Sequence, residues 1–342
     1  MKKKNIISAN YSALLFVFCF SVMACTKENT EGTHSGLEEG EEMMSFVASF
    51  TSSKARFADD GSNSLVWSDY DAAGLFSYNT KYKPGNQNGF IRRSCVSPDS
   101  LNEGFAIFRS HLSRADWAGT ADNITFTSYY PEPVKREGDA PKDVFRNGNF
   151  GYVRTRIPEA QQEYSESMGR YMEFGDHHFC VASATISRDD FLNKGVKVQL
   201  NYRPIESVIS IRPYIREDAP VDSVTATTLL IENTDAGSPY ILGGTLDYNI
   251  LTEEVKVGAA VKYKRITVNL KSATIKKGVE NNDYINVVVL PGEANNCQLD
   301  FTLSYNLGAN SETYHWTKSA PKTFKEGNRY KLDVEIPVYA VL

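Results

Sequence analysis

An all-β architecture, with antiparallel sheets packed as two sandwiches, is what this sequence predicts, and three observations predict it. The apolar runs are short and separated by polar clusters rich in turn residues. Val, Ile, Thr, Tyr and Phe dominate those runs, as a pleated, half-buried surface favours. No segment keeps a 3.6-residue apolar period beyond about three turns, so the helices that parallel βαβ units need are missing. The chain has 342 residues and is 41% hydrophobic, with 19 Tyr and 18 Phe, enough apolar material for two cores. That length fits two domains at ~100–200 residues each.

The runs follow in order. MSFVASF (44–50) opens the series, and a Ser/Lys/Asp/Gly stretch follows it. Residues 65–67, 73–78, 90–96, 104–110 and 123–130 continue it. Residues 131–149 carry prolines, glycines and charges and read as a surface loop. Residues 187–192 read as one short helix capped by Ser187. The second half supplies runs at 196–203, 207–215, 227–233, 266–270, 284–290, 298–305, 312–318 and 330–336. Alternation of apolar and polar residues is cleanest in Val196-Lys197-Val198-Gln199-Leu200 and in residues 331–336. The turn-like Asn193-Lys194-Gly195 divides the chain, so residues 44–193 and 194–342 are the expected N-terminal and C-terminal β-sandwich domains.

Ahead of both lies a leader. Met1-Lys2-Lys3-Lys4 is basic, and ALLFVFCFSVM (13–23) is an apolar run of 11 residues. A membrane span needs roughly 20, so residues 1–24 read as a secretory signal peptide. Val22-Met23-Ala24-Cys25 resembles the lipobox of a bacterial lipoprotein, although Met23 stands where a smaller residue is more usual. The resemblance implies cleavage before Cys25 and lipid, such as palmitate, on its thiol. Residues 25–43 then form an acidic flexible tether, rich in Glu and without apolar periodicity. As a coil it spans on the order of 25 Å.

The formal net charge of −5 argues against a nucleic-acid partner bound by a basic surface. Past the leader and Cys25, the cysteines are Cys95, Cys180 and Cys297, with no CxxC pair. They allow at most one bridge and read mainly as buried small hydrophobes. Gly175-Asp176-His177-His178-Phe179-Cys180 gathers metal-ligand types, but adjacent histidines on a strand face opposite ways. No metal or other cofactor is expected. The G-x-S-x-G, H-E-x-x-H, Walker-A and G-x-G-x-x-G motifs are all missing, and with no motif singling out a carboxylate pair, no enzyme is expected. Arg92-Arg93 and Arg154-Thr155-Arg156 read as solvated strand faces.

Several phrases together carry a family resemblance. Trp67-Ser68-Asp69-Tyr70-Asp71-Ala72-Ala73-Gly74-Leu75-Phe76 looks like the W-x-x-x-D-x-x-G-[VL]-[FY] signature of the fimbrillin-type lipoproteins of Bacteroidales. Tyr129-Tyr130-Pro131, Ile157-Pro158-Glu159-Ala160-Gln161-Gln162, residues 196–204, Val289-Leu290-Pro291-Gly292 and residues 324–330 resemble further phrases of that family, in its order. The resemblance implies two sandwiches of transthyretin-like (Greek-key) topology and a surface subunit of fimbriae in cell adhesion. Such a subunit is lipid-anchored at the outer membrane and assembles with other fimbrial subunits by strand addition. It implies that residues 44–50 are a displaceable strand carrying Phe46, Ala48 and Phe50, released by proteolysis after Arg56. Stalk members continue past the region matching Ile336, whereas this sequence runs six residues further. A tip-like or anchor-like accessory subunit is therefore the expectation, facing a host or bacterial surface ligand. The alternative from another class is a surface glycan-binding lipoprotein, with Trp117, Tyr129, Tyr130 and Trp316 stacking on sugars.

Overall fold

The computed structural model describes residues 44–50, 73–79, 92–96, 98–102, 105–110, 123–130, 152–162, 179–187, 189–190, 197–249 and 252–338. Its elements are strands: β1 (Met44–Phe50), β2 (Ala73–Asn79), β3 (Arg92–Val96), β4 (Pro98–Asn102), β5 (Phe105–Ser110), β6 (Asn123–Tyr130), β7 (Tyr152–Ile157), β8 (Ala160–Gln162), β9 (Cys180–Ser187) and β10 (Val198–Pro204). They continue with β11 (Ser207–Ile215), β12 (Ser223–Asn233), β13 (Gly243–Asn249), β14 (Val255–Tyr263), β15 (Arg265–Lys276), β16 (Ile285–Val289), β17 (Gly292–Glu293), β18 (Gln298–Leu307), β19 (Asn310–Ser319), β20 (Thr323–Phe324) and β21 (Arg329–Ile336). A single 3-10 turn, Val279–Asn281, interrupts them among the described residues. The expected helix is present where it is described: residues 189–190 are helical, and Asp190 N–H donates to Ser187 Oγ at 3.0 Å. Ser187 is its cap, meeting a backbone donor that the helix cannot meet itself.

The first sheet has eight strands in the order β3-β2-β6-β9-β10-β1-β5-β4. β3, at one end, also lies beside β5 near the other, so the sheet curls around its core. Phe46, Ala48, Leu75, Phe108, Phe126 and Leu200 are among the side chains that fill it. The second unit is a sandwich. A three-stranded sheet, β16-β11-β21, and a five-stranded sheet, β19-β18-β12-β15-β8, share one core of residues such as Ile211, Val288, Leu229, Ile231, Val268 and Leu303. β14-β13-β7 and β17-β20 complete the set.

Three pairings are parallel, β1 with β10, β11 with β21 and β15 with β8, where the sequence led us to expect antiparallel neighbours throughout. In each, the partners lie far apart in the chain, which leaves room for the long crossover that a parallel pair needs. Pairing also crosses residue 193 in both directions. β10, expected to open the second domain, sits between β9 and β1 in the first sheet. β7 and β8 leave the first half of the sequence to pair with β13 and β15. The chain passes from one sheet to the other at Ile205-Glu206. There Ile205 N–H donates to Phe179 C=O at 3.0 Å, and Glu206 C=O accepts from Gly327 N–H at 2.7 Å. β9 and the residue before it serve both cores: Cys180 and Ala182 belong to the first, Phe179 and Val181 to the second. Period-2 alternation makes this possible when both faces are covered.

Gln161 ties the two sheets of the sandwich. It lies in β8 and its side chain is buried. Its Nε2 donates to Val288 C=O at 2.8 Å, and Val288 N–H donates to its Oε1 at 3.0 Å. The amide pairs with β16 as a peptide group of a neighbouring strand would. Gln161→Leu keeps the volume but leaves Val288 N–H and C=O buried without partners. It is expected to cost about 2–4 kcal/mol, read as a lowered urea midpoint at unchanged slope.

Candidate functional site: the first strand and its slot

The sequence MSFVASF puts every second residue on one face, and β1 uses that pattern fully. Phe46 and Ala48 are both 0% exposed. On one side β1 runs antiparallel to β5, with Phe46 opposite Phe108 and Ala48 opposite Ala106. On the other it runs parallel to β10, with Phe46 beside Val198 and Ala48 beside Leu200. Phe46 meets the ring of Phe126 edge to face, centroids 5.1 Å apart. A large and a small residue therefore follow one another along the slot, and Ala48 stands between Ala106 and Leu200. At the rim, Ser49 Oγ donates to Asn201 Oδ1 at 2.9 Å.

The floor of the slot holds a small polar chain. Ser128 Oγ donates to Gly74 C=O at 2.8 Å, so the 2.5 Å contact between Tyr202 and Ser128 has the phenol as donor. Burial pushes the Tyr202 hydroxyl well above the usual phenol range, partly offset by its bond to Ser128. Burial also pushes the Cys180 thiol up, and the nearby Glu206 carboxylate adds to it. Phenol and thiol therefore stay neutral at physiological pH, so the slot offers neither a thiolate nucleophile nor a thiolate metal ligand. Among the described residues no group of three or more His, Cys, Asp or Glu is placed to hold a metal ion. What the slot presents is two rows of backbone hydrogen-bonding groups and a floor that is apolar apart from the internally satisfied Tyr202–Ser128 pair.

Cys25, Arg56, Trp117, His177 and His178 lie outside the described residues, as does the side chain of Phe50. Cys180 and Cys297 are buried free thiols, as expected of small hydrophobes. Tyr129 is 2% exposed and faces the second core, so it presents no ring face to a sugar. Its neighbour Tyr130 packs at the first core instead, so the two rings do not form one platform. Trp316 is half-buried and stacks on Phe301, centroids 5.1 Å apart and planes 8° apart, so one face is already covered. Arg154 forms a two-pronged pair with Asp247, its cross-strand neighbour, at 2.6 and 2.7 Å. Arg156 lies over the Tyr263 ring at 5.2 Å. Both arginines are engaged on strand faces.

The sequence reading missed Val198, Leu200 and Tyr202 as walls of the slot because it placed their strand in the other domain. The clean alternation of residues 196–200 marked a strand but not its sheet. Gln161 stands out in the sequence only within the Ile157–Gln162 phrase. A glutamine two residues into a strand after a buried Ile157 was the available signal.

The architecture defines an all-β protein whose first described strand is inserted between strands distant in sequence. No protein-family model matches the chain, and no curated protein matches it. Solved structures do. A protein provisionally named for cell adhesion, from Bacteroides uniformis, is 15% identical with a TM-score of 0.49, covering 86% of this chain and 93% of that one. A fimbrial protein from Bacteroides vulgatus is 13% identical with a TM-score of 0.45, over 77% and 88%. A fimbrial assembly protein from Parabacteroides distasonis is 8% identical with a TM-score of 0.41, over 86% and 90%.

The slot predicts two unequal substitutions. Phe46→Ala opens a cavity beside Phe126 and is expected to cost about 3–5 kcal/mol. Ala48→Leu forces extra volume between Ala106 and Leu200 and is expected to cost about 1–3 kcal/mol. Equilibrium unfolding of the two variants checks both.

Proposed function

We propose that the chain is a structural subunit of surface fimbriae serving cell adhesion, and that it joins other fimbrial subunits by strand addition. A lipid on Cys25 holds the uncleaved chain at the outer membrane, and release of β1 after cleavage also releases that anchor; the work of the subunit is mechanical and adhesive, with no bond-making chemistry. The observation that supports this most is the position of β1. It is the first strand in chain order among the described residues, yet it lies inside the sheet with a partner on each side. Residues 51–72 separate it from β2, and Arg56 falls within that connection.

Cleavage after Arg56 frees β1 from every covalent link to the sheet. Its departure uncovers the facing edges of β5 and β10 together with the floor around Phe126. Unpaired edges of this kind are strong templates for another strand. Main-chain bonds on both sides supply affinity, and pockets at every second position select the side chains. The slot thus asks for a large apolar residue at the Phe46 position and a small one at the Ala48 position.

An arginine-specific protease and a synthetic peptide of residues 44–50 test the reading. Mass spectrometry is expected to find a new N-terminus at Phe57 in the wild type and none in Arg56→Ala. The cleaved chain is expected to take up the peptide one to one, with its thermal midpoint rising on binding. A cleaved chain that keeps its own β1, or that ignores the peptide, sinks the proposal.

A further inference from the structure

β18 and β19 are joined by the two-residue turn Gly308-Ala309. Gly308 has φ +60° and Ala309 is not in the positive region, which is the type II′ arrangement that places Gly first. In such a turn the flanking pair, Leu307 and Asn310, is hydrogen-bonded. Bonded and non-bonded pairs then alternate along an antiparallel ladder. The register runs unbroken from Leu307↔Asn310 to Gln298↔Ser319. Just beyond its far end, Ala320 N–H donates to Cys297 C=O at 2.8 Å, in the same phase. Even-numbered residues of β19 therefore bond to β18. The N–H and C=O groups of Ser311, Thr313, His315, Thr317 and Ser319 point the other way.

Among the described residues that other way is open. β19 ends its sheet, and all five of these residues are exposed. The edge has neither a proline nor a bulge, the usual devices that blunt one. On its inner face, Tyr314 and Trp316 are half-buried and stack at 5.5 Å, because the facing sheet has three strands against five and does not reach over them. Trp316 Nε1–H is shielded from solvent and has no acceptor among the described residues.

We propose that this edge is a self-association surface: two copies of the chain pair β19 against β19, antiparallel, about a two-fold axis at His315. The sequence of the strand is self-complementary about that residue. Glu312 then opposes Lys318 of the second copy, Thr313 opposes Thr317, Tyr314 opposes Trp316, and Ser311 opposes Ser319. Glu312 and Lys318 are the only charged residues in β19, and this is the centre that sets them against each other. Moving the axis to Tyr314 puts Glu312 opposite Trp316, and moving it to Trp316 puts Lys318 opposite Tyr314. With the axis at His315 the outward-facing residues oppose one another, so every free N–H and C=O along the edge gains a partner. The stack Phe301-Trp316-Tyr314 continues across the axis into the second copy. An isologous contact of this kind closes on itself and yields a dimer, not a fibre. It leaves β1 in place and is independent of strand replacement there.

Analytical ultracentrifugation of the full, uncleaved chain tests it. A monomer–dimer equilibrium is expected. Lys318→Glu sets like charges against each other at both ends and is expected to weaken dimerisation on the order of tenfold. The double exchange Glu312→Lys with Lys318→Glu restores it. His315→Cys is expected to give a disulfide-linked dimer on mild oxidation, since bonded antiparallel pairs hold Cα atoms about 5.5 Å apart, within disulfide reach. Thr313→Cys, whose two copies are out of register, is expected to give none. Circular dichroism verifies that each variant folds. A chain that stays monomeric at every concentration overturns the proposal. So does a dimer that Lys318→Glu leaves intact, or cross-linking at residue 313 as readily as at 315.

Discussion

Val288 sits in β16, at the margin of a three-stranded sheet, buried and, among the described residues, with no strand on its outer side. Its peptide group is met by the amide of Gln161, and that single contact imposes much of the rest. A buried N–H and C=O without partners would cost several kcal/mol. The side chain that meets them belongs to β8, which pairs with β15 in the opposite sheet. Gln161 therefore joins the two layers of the sandwich by hydrogen bonds, where apolar contact alone sets no register. It also brings a segment of the first half of the chain into the second unit. Once residues 160–162 are held there, β7 just before them is close enough to pair with β13.

The exchange runs the other way through β10. That strand gives Val198, Leu200 and Tyr202 to the first core, then crosses at Ile205-Glu206 and becomes β11 in the second. The slot of β1 thus has one wall, β5, from the first half of the chain and another, β10, that leads directly into the second unit. Whatever occupies the slot is coupled to that crossing through one continuous stretch of backbone. A strand inserted there therefore bears on both units.

Glu206 is buried and accepts from Phe179 N–H; elsewhere among the described residues the ionisable groups keep charge outside. Tyr202 and Cys180 are held neutral by burial. Arginines pair across strands with carboxylates at the surface, Arg154 with Asp247 and Arg212 with Asp333. The bond from Arg212 holds the Asp333 carboxyl below the usual carboxylate range. Such pairs are worth little individually in water. Their contribution here is to set register between β7 and β13 and between β11 and β21, where Arg154 and Asp247, and Arg212 and Asp333, stand directly opposite one another.

Local order could be read directly from the residues. Alternation placed Phe46 and Ala48 on one buried face, turn residues bounded the strands, and Ser187 announced its helix. The all-β class follows from the same patterns, because side-chain periodicity and turn chemistry are properties of neighbouring residues. Partnership between strands could not be read in that way. The backbone groups that join β10 to β1, or β8 to β15, are the same for every residue and carry no label in the sequence. Tyr129 shows the consequence: its strand was legible, but its exposure depended on a second core arriving against the far face of the sheet. That arrival is a matter of long-range packing, and so are the three parallel pairings and the role of Gln161.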